Sequence, residues 1–541
     1  MPSEFSEDEA KVLSRFFTNM DKPIFAIRNL PEVVKGALLS RYSRTDKSLR
    51  RVLLDEFINK QEMGFKEIVS FAQESGENEM VATKKAEEFY DRVLVGYGDD
   101  SVAELGGAHI ACEDVSNIAT KIMEDARLGI SPLEKSSRYV YFNEKVNGNY
   151  RYWRDPAVLG SEFAELYLQT MDMLFDSYSR LIEPMKKFII ERHPQGDASD
   201  RAYAFTIRAK ACDVLRVFLP AGTLTNMGMF GNGRAFEYLI TKMYSNDLVE
   251  IRDIAGQMQA EISKVIPSFV KRSNDQHGVA TQQFWADTRH AIEQVVSEQL
   301  PLDSDKSEEV ELIEWDEEAE NKIVVAILYP QSTHPLHQLK RIVGNMLPDQ
   351  RKKIIDEYIS RRQNRRHRPG RAFEHAHYTF DLLGNYGIYR DLQRHRVLTQ
   401  ERQSLTIKHG YDTPPELVEA GFIDDYRQAM EAARDAFLQI SRKFPREAQY
   451  VVPFGYRLRW YFHLNLRELY HLIELRTMQQ GHPDYRRICQ EMFRQIRSIH
   501  PRLVEHMRFV DMKSYDLERL EAEKRLDKKM EEMARKYGSQ A

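Results

Sequence analysis

The chain has 541 residues, a net charge of −5 and 42% hydrophobic residues. That length exceeds one ordinary core, so two or more domains are expected. No run of about 18 apolar residues is present, the opening MPSEFSEDEAKVL is acidic and polar, and Cys112, Cys212 and Cys489 are scattered. A transmembrane helix, a secretory leader, a disulfide framework and a cysteine metal site are therefore not expected, and a reducing cytoplasm is. The balanced charge gives no global reason to bind nucleic acid, so any anion site must be local.

In chain order, the first landmarks are DDSVAELGGAHIA with Glu104, then DARLG (Asp125–Gly129) and SPLEKSSRY (Ser131–Tyr139). Apolar residues at three- and four-residue spacing predict a long helix over Ser161–Ile190. LPAGTLTNMGMFGNGRAFEYL follows at Leu219–Leu239. The run Asp303–Glu320 carries ten acidic residues and one lysine, and reads as a linker. NKIVVAILYP then predicts a strand over Ile323–Tyr329. RRQNRRHRPGR, Arg361–Arg371, holds six arginines and a histidine, a short basic run that reads either as a nucleic-acid-binding patch or as a helix end with a solvated basic face. FEHAHYTF precedes a strand predicted over His377–Leu383, and GNYGIYRDLQ predicts a helix ending at Arg394-His395-Arg396. A second long helical pattern covers Pro415–Phe444, and VPFGYRLRWYFHLNLRELYHL covers Val452–Leu472. From Lys513 onward a charged helix presents Leu517 and Leu520 on one face.

The two halves read as copies of each other. Asn232 stands twelve positions after Pro220, and Asn465 twelve after Pro453. Each asparagine opens an Asn-x-Arg, with Arg234 matching Arg467. Glu104 matches Glu374, and the later serines Ser136 and Ser404 follow after 32 and 30 residues.

Consecutive helical residues point about 100° apart, so Arg394, His395 and Arg396 can share a ligand only where the helix ends. There, guanidinium and main-chain N–H groups can converge on phosphate.

FEHAHYTF, then Arg394-His395-Arg396, seven residues and Ser404, resembles the signature of the flavin-dependent thymidylate synthases. Asn465, Arg467 and Arg476 in NLRELYHLIELR resemble that family's later helix. The first half resembles the same family but reads DARLG where Arg-His-Arg should stand. It keeps Ser136, Arg138 and Tyr139 of the Ser-x-Arg-Tyr end, and Arg216. The second half has lost those: Leu405, Thr406 and Ile407 follow Ser404, and Gln449 stands at the place of Arg216. Conversely, Arg476 of the second half has Met243 as its counterpart, with Lys242 beside it.

The resemblance implies an α+β fold of two tandem domains, each a mixed sheet with long helices: residues 1–302, an acidic linker 303–320, and 321–541. It implies reductive methylation of dUMP to dTMP with methylenetetrahydrofolate and NADPH as co-substrates through FAD. Arg394, His395, Arg396, Glu374, Asn465 and Arg467 are then expected at the flavin. Ser136, Arg138, Arg216, Ser404 and Arg476 are expected at dUMP, with Arg216 and Arg476 stabilising charge on the pyrimidine. No protein nucleophile and no metal is called for. Because sites in this family are assembled between subunits, complementary losses suit one composite site, and a homodimer of the tandem would resemble the family's tetramer. The rival readings are a repurposed enzyme acting on another pyrimidine nucleotide, and an inactive module binding nucleotide or nucleic acid.

Overall fold

The computed structural model describes residues 5–59, 103–301 and 304–537. Asp99–Val102 of the first motif and the first residue of the acidic run lie outside the described residues. Two compact units form, one from Met1–Val115, Ile122–Glu134 and Asn226–Leu302, the other from Ser116–Lys121, Lys135–Thr225 and Asp303–Ala541. Compact unit and sequence repeat are thus different divisions, because Lys135–Thr225 of the first half clusters with the second half.

The first unit carries most of a three-stranded sheet, ordered β1 (Gly107–Ser116), β3 (Leu224–Asn232), β2 (Ile130–Glu134). The helix α1 (Asn117–Glu124) follows β1. The second unit holds a four-stranded sheet. Its order is β4 (Val310–Trp315), β5 (His377–Asn385), β7 (Arg457–Asn465), β6 (Thr399–Arg402). Apart from the added edge strand β4, the order is the same in both: the third strand lies between the first and second.

The long helical patterns appear as α2 (Ala164–Arg192) and, in the second half, as a short helix Pro415–Glu419 followed by α8 (Ile423–Ile440). Gly421 makes the break at φ +76°, a left-handed conformation that glycine adopts without cost. The strand expected over His377–Leu383 is β5. The strand expected over Ile323–Tyr329 is instead helix α6 (Ala319–Leu328), with Ala319, Ile323, Val324 and Val325 buried. A short apolar run fits a buried helix as well as a strand, and Ala319 four residues before Ile323 supplies the helical face. The acidic run is not wholly irregular either. Val310 and Leu312 alternate with glutamates, and this edge strand pairs antiparallel with β5 with a shift between Leu312 and Glu314.

The duplication is visible bond by bond. β3 and β7 share one burial pattern and the same length. Each ends on an asparagine that caps a helix: Asn232 accepts from Ala235 N–H on α4 (Gly233–Tyr244), Asn465 from Glu468 N–H on α9 (Leu466–Arg476). Inside the second unit the two copies exchange main-chain bonds symmetrically. Ala221 N–H donates to Val452 and Phe454 N–H to Leu219, both at 2.8 Å. Gly222 N–H donates to Tyr450 at 2.8 Å and Gly455 N–H to Val217 at 3.1 Å. A Cβ at Gly455 would meet Tyr426 Oη at 2.2 Å, so this close crossing requires glycine. Tyr167 Oη donates to Trp153 O as Tyr426 Oη donates to Asp412 O. Among the described residues no helix is long and apolar enough to cross a membrane.

Candidate functional site: an arginine cluster drawn from both repeats

Asn385 caps α7 (Tyr386–Leu392) by accepting from Ile388 N–H, and every residue of that helix is buried. The helix ends where the sequence places Arg394-His395-Arg396. Arg394 turns back to Asp391 at 2.9 Å, His395 is buried, and Arg396 is exposed. His395 meets two residues of α9. Its Nδ1 lies 2.8 Å from Glu468 Oε1, and its Nε2 lies 2.9 Å from Arg476 Nε. Both ring nitrogens are therefore engaged by protein, which leaves only the ring face for the flavin contact expected of this residue.

The first repeat supplies the other side. Beyond β2 the chain turns, and Ser136 Oγ accepts from the Arg138 N–H, so this serine shapes the turn. Arg138 grips Asp213 with Nε and Nη2, at 2.8 and 2.7 Å, and its Nη1 donates to Tyr485 Oη at 3.2 Å. Asp213 stands on α3 (Asp200–Leu215), and Tyr485 on α10 (Pro483–Ile499) of the second repeat. Arg216, at the end of α3, is 2% exposed. Its Nη1 donates to Asp391 of α7 at 3.0 Å, while Nη2 is buried without a hydrogen-bond partner. Arg390 Nη1 donates to Ser137 Oγ at 2.9 Å. Thus Arg138 and Arg216 of the first repeat join Arg394, His395 and Arg476 of the second in one compact unit.

The electrostatics follow from burial and crowding. Burial pushes the Asp391 carboxyl up, but Arg216 and Arg394 overcome it and hold the group well below the usual carboxylate range. Asp213 is likewise lowered: Arg138 and His482 outweigh desolvation. Burial first, then Arg476, His471, Arg394 and Arg368, drives His395 well below its ordinary value, so the ring is neutral. Burial pushes Glu468 up to about 7 against Arg368, Arg467 and Arg476. Arg476 itself is lowered, by burial and then by Arg394. It stacks its guanidinium over Tyr485 at 5.6 Å and bonds to His395, with no carboxylate partner among the described residues. A half-buried guanidinium whose nearest opposite charge, Asp391, is shared with Arg216 and Arg394, together with a buried guanidinium nitrogen without an acceptor, suits an anion.

The remaining expected residues sit elsewhere or do other work. Glu374 and Arg467 pair at 2.9 Å, as Glu104 and Arg234 do at 2.9 Å in the first repeat. Glu374 also borders a cleft of about 1040 Å³ lined by Lys322, Tyr358, Arg371, His375 and His377 among others. Asn465 spends its side-chain oxygen on the helix cap. Ser404 is exposed beyond β6, and its neighbour Leu405 donates N–H to Gln449 Oε1 at 2.9 Å. The structure therefore does not bring Ser404 into the cluster. A second cleft, of about 530 Å³, is lined by Glu308, Asp412, Arg457 and Asp484. The arginine cluster lines neither cleft. His395, Glu468 and His471 bring ligand-type atoms within 4.8 Å of one another. Yet His395 Nε2 already accepts from Arg476, and surrounding guanidinium groups disfavour a cation there.

Sequence reasoning missed Asp213, Asp391, Arg390, Ser137, Tyr485 and Glu468. The signals were faint: Asp391 stands three residues before Arg394, and Glu468 three after the capping Asn465.

The family model described as Thymidylate synthase complementing protein matches residues 54–268 and 311–502. The chain belongs to that family. Each half carries a matched segment, as a tandem duplication requires. The chain is 44% identical over 528 residues to a UPF0159 protein of Chlamydia muridarum, covering 96% of this chain and 98% of that one. It is 34% identical over 518 residues to a UPF0159 protein of Thermoplasma acidophilum, covering 91% and 98%. A flavin-dependent thymidylate synthase of Sulfurisphaera tokodaii is 28% identical over 144 residues, 25% of this chain and 56% of that one. Within this thymidylate synthase complementing protein tandem, the bonds exchanged by residues 217–222 and 450–455 are the internal equivalent of a contact between two like copies.

Proposed function

We propose that the protein methylates dUMP reductively to dTMP, with methylenetetrahydrofolate as carbon donor and NADPH as reductant through FAD. The observation that carries this reading is the convergence of Arg138 and Arg216 with Arg394 and Arg476. Family membership supports the reaction class, and the chemistry of the donor set supports an anionic nucleotide. Residues 1–302 and 321–541 are the two repeats in this reading, self-association is as a homodimer, and the compartment is the cytoplasm.

Arg216 offers its unsatisfied Nη2, and Arg476 a guanidinium with no carboxylate in bonding contact, to a nucleotide carrying phosphate and an acidic pyrimidine edge. Negative charge building on the ring during carbon transfer is stabilised by such preorganised donors. Arg138, tied to Asp213 and Tyr485, braces that wall and has one Nη1 hydrogen left for a ligand. The donor set also fits a flavin dinucleotide: Arg394 and Arg396 suit its phosphates, and the cleft beside Glu374 has room for an extended cofactor. When bound, the flavin supplies the hydride. Asp391, His395, Arg138 and Arg216 are buried, so water is largely excluded from that side of the cluster.

The test is visible absorption and dTMP formation in three proteins. Wild type is expected to carry flavin whose band shifts on adding dUMP, and to form dTMP. Arg138→Ala is expected to keep flavin and lose dUMP, and Arg396→Ala to lose flavin. Unaltered dUMP binding in Arg138→Ala contradicts the division of labour. A different pyrimidine product identifies the repurposed-enzyme reading, and a protein that takes up no FAD identifies the binding-module reading.

A further inference from the structure

Arg476 is held by a chain of two side chains, not by a carboxylate. An arginine Nε–H can only donate, so the His395 Nε2 at 2.9 Å must accept. A neutral imidazole with a bare Nε2 carries its proton on Nδ1, and that proton faces Glu468 Oε1 at 2.8 Å. Protonating His395 would set N–H against N–H. A Glu468 proton aimed at Nδ1 would require both ring nitrogens to be bare. The geometry therefore permits one tautomer.

The two ends of this chain, Glu468 and Arg476, stand on the same helix eight residues apart, about 12 Å along its axis. His395 comes from the end of α7 and bridges them, 4% exposed, with Glu468 7% exposed. His471 lies against the imidazole at 5.5 Å between ring centroids. The charged groups facing the pair are Arg368 and Arg467 toward Glu468, and Arg394, Arg368 and His471 toward His395.

The first repeat lacks all three members. Counting from the equivalent helix starts, where Ser116 bonds Ala119 and Asn385 bonds Ile388, Ala126 stands at His395. At the constant offset of the later helix, Ala235 stands at Glu468 and Met243 at Arg476. Two of these changes remove every polar atom from the side chain, and the third leaves only a thioether. Their joint absence marks the three as a unit.

We propose that Glu468 is a positioning residue: it fixes the Nδ1–H tautomer of His395, whose Nε2 then orients the Arg476 guanidinium toward the bound nucleotide. The last step rests on the nucleotide reading above; the tautomer relay does not. The role needs a hydrogen-bond acceptor at position 468 rather than a negative charge, since the neutral oxygen of an amide also accepts from Nδ1–H.

The experiment is histidine-selective ¹⁵N NMR on the full chain, with His395→Asn identifying the His395 signal, paired with dUMP affinity. Wild type should show one neutral tautomer, protonated on Nδ1 and unchanged between pH 8 and 6. Glu468→Leu should mix the tautomers and weaken dUMP binding by tenfold or more. Glu468→Gln should restore the tautomer and bring affinity to within about threefold of wild type. A wild-type imidazolium, or a proton on Nε2, overturns the relay, as does a Glu468→Gln protein that behaves like Glu468→Leu. If wild type binds no dUMP, the nucleotide reading fails, and the tautomer comparison alone decides the relay.

Discussion

Arg216 and Gln449 occupy equivalent places, each four residues before the proline that opens the crossing between repeats. At one corner Arg216 reaches across to Asp391 and leaves a nitrogen for a ligand. At the other, Gln449 closes on the Leu405 N–H, in the segment where the second repeat lost its Arg-Tyr. The main-chain bonds around the two match, Leu219 N–H donating to Arg216 O as Val452 N–H donates to Gln449 O, so the contrast lies in the side chains. Duplication conserved the scaffold, while the charge concentrated at one of two related corners. That is the pattern expected when one composite site is kept and its symmetry mate is allowed to close.

The largest effect should come from cutting the brace. Arg138→Ala strands the buried Asp213 carboxylate, and loss of one partner of a buried pair costs about 3–5 kcal/mol. Denaturant unfolding should show it, and a loss below about 1 kcal/mol would mean that water or another cation reaches Asp213. Next is Arg216→Gln, which copies the silent corner onto the active one. Losing a charged hydrogen bond of about 1.5–3 kcal/mol should weaken dUMP binding by about 10- to 100-fold. The mirror change, Gln449→Arg, should leave dUMP affinity within about threefold, because the second repeat offers no Ser-x-Arg-Tyr beside it. A gain of a second dUMP equivalent by calorimetry would overturn the claim that this corner is closed.

A smaller effect concerns acid. His395 is driven well below its unfolded value of 6.5, chiefly by burial. The unfolded chain therefore binds this proton first, and stability falls as pH drops below 6.5 toward the folded value. The slope is up to ~1.4 kcal/mol per pH unit for one such group. His395→Asn should flatten the melting-temperature profile between pH 6.5 and 5. Parallel profiles for the two proteins would show that His395 is not held neutral. Smallest should be Glu104→Gln and Glu374→Gln. The first breaks a half-exposed pair worth about 0.2–1 kcal/mol. The second breaks the equivalent pair beside the larger cleft, and should add a loss of flavin that the first does not.

Much of this was legible in the chain. Constant spacing from Pro to Asn and near-equal spacing from Glu to Ser exposed the repeat, since loops and caps at a crossing tolerate little change in length. Arg394-His395-Arg396 read correctly as a helix end. Roles were harder. Asn465 and the Glu374–Arg467 pair recur in both repeats because they cap and clamp a helix start, a structural demand that a motif does not separate from ligand binding. The carboxylate Asp213 was invisible because pairing with a distant arginine leaves no local pattern, and Asp391 showed only its three-residue spacing from Arg394. Ile323–Tyr329 misled because apolar content without periodicity does not distinguish a buried helix from a strand.

The most direct test of a single composite site is the visible spectrum of Arg216→Gln, titrated with dUMP beside wild type. The account predicts flavin in both proteins and a dUMP-dependent band shift in wild type alone. An identical shift in Arg216→Gln would contradict it, because the nucleotide would then be bound without the first repeat's arginine.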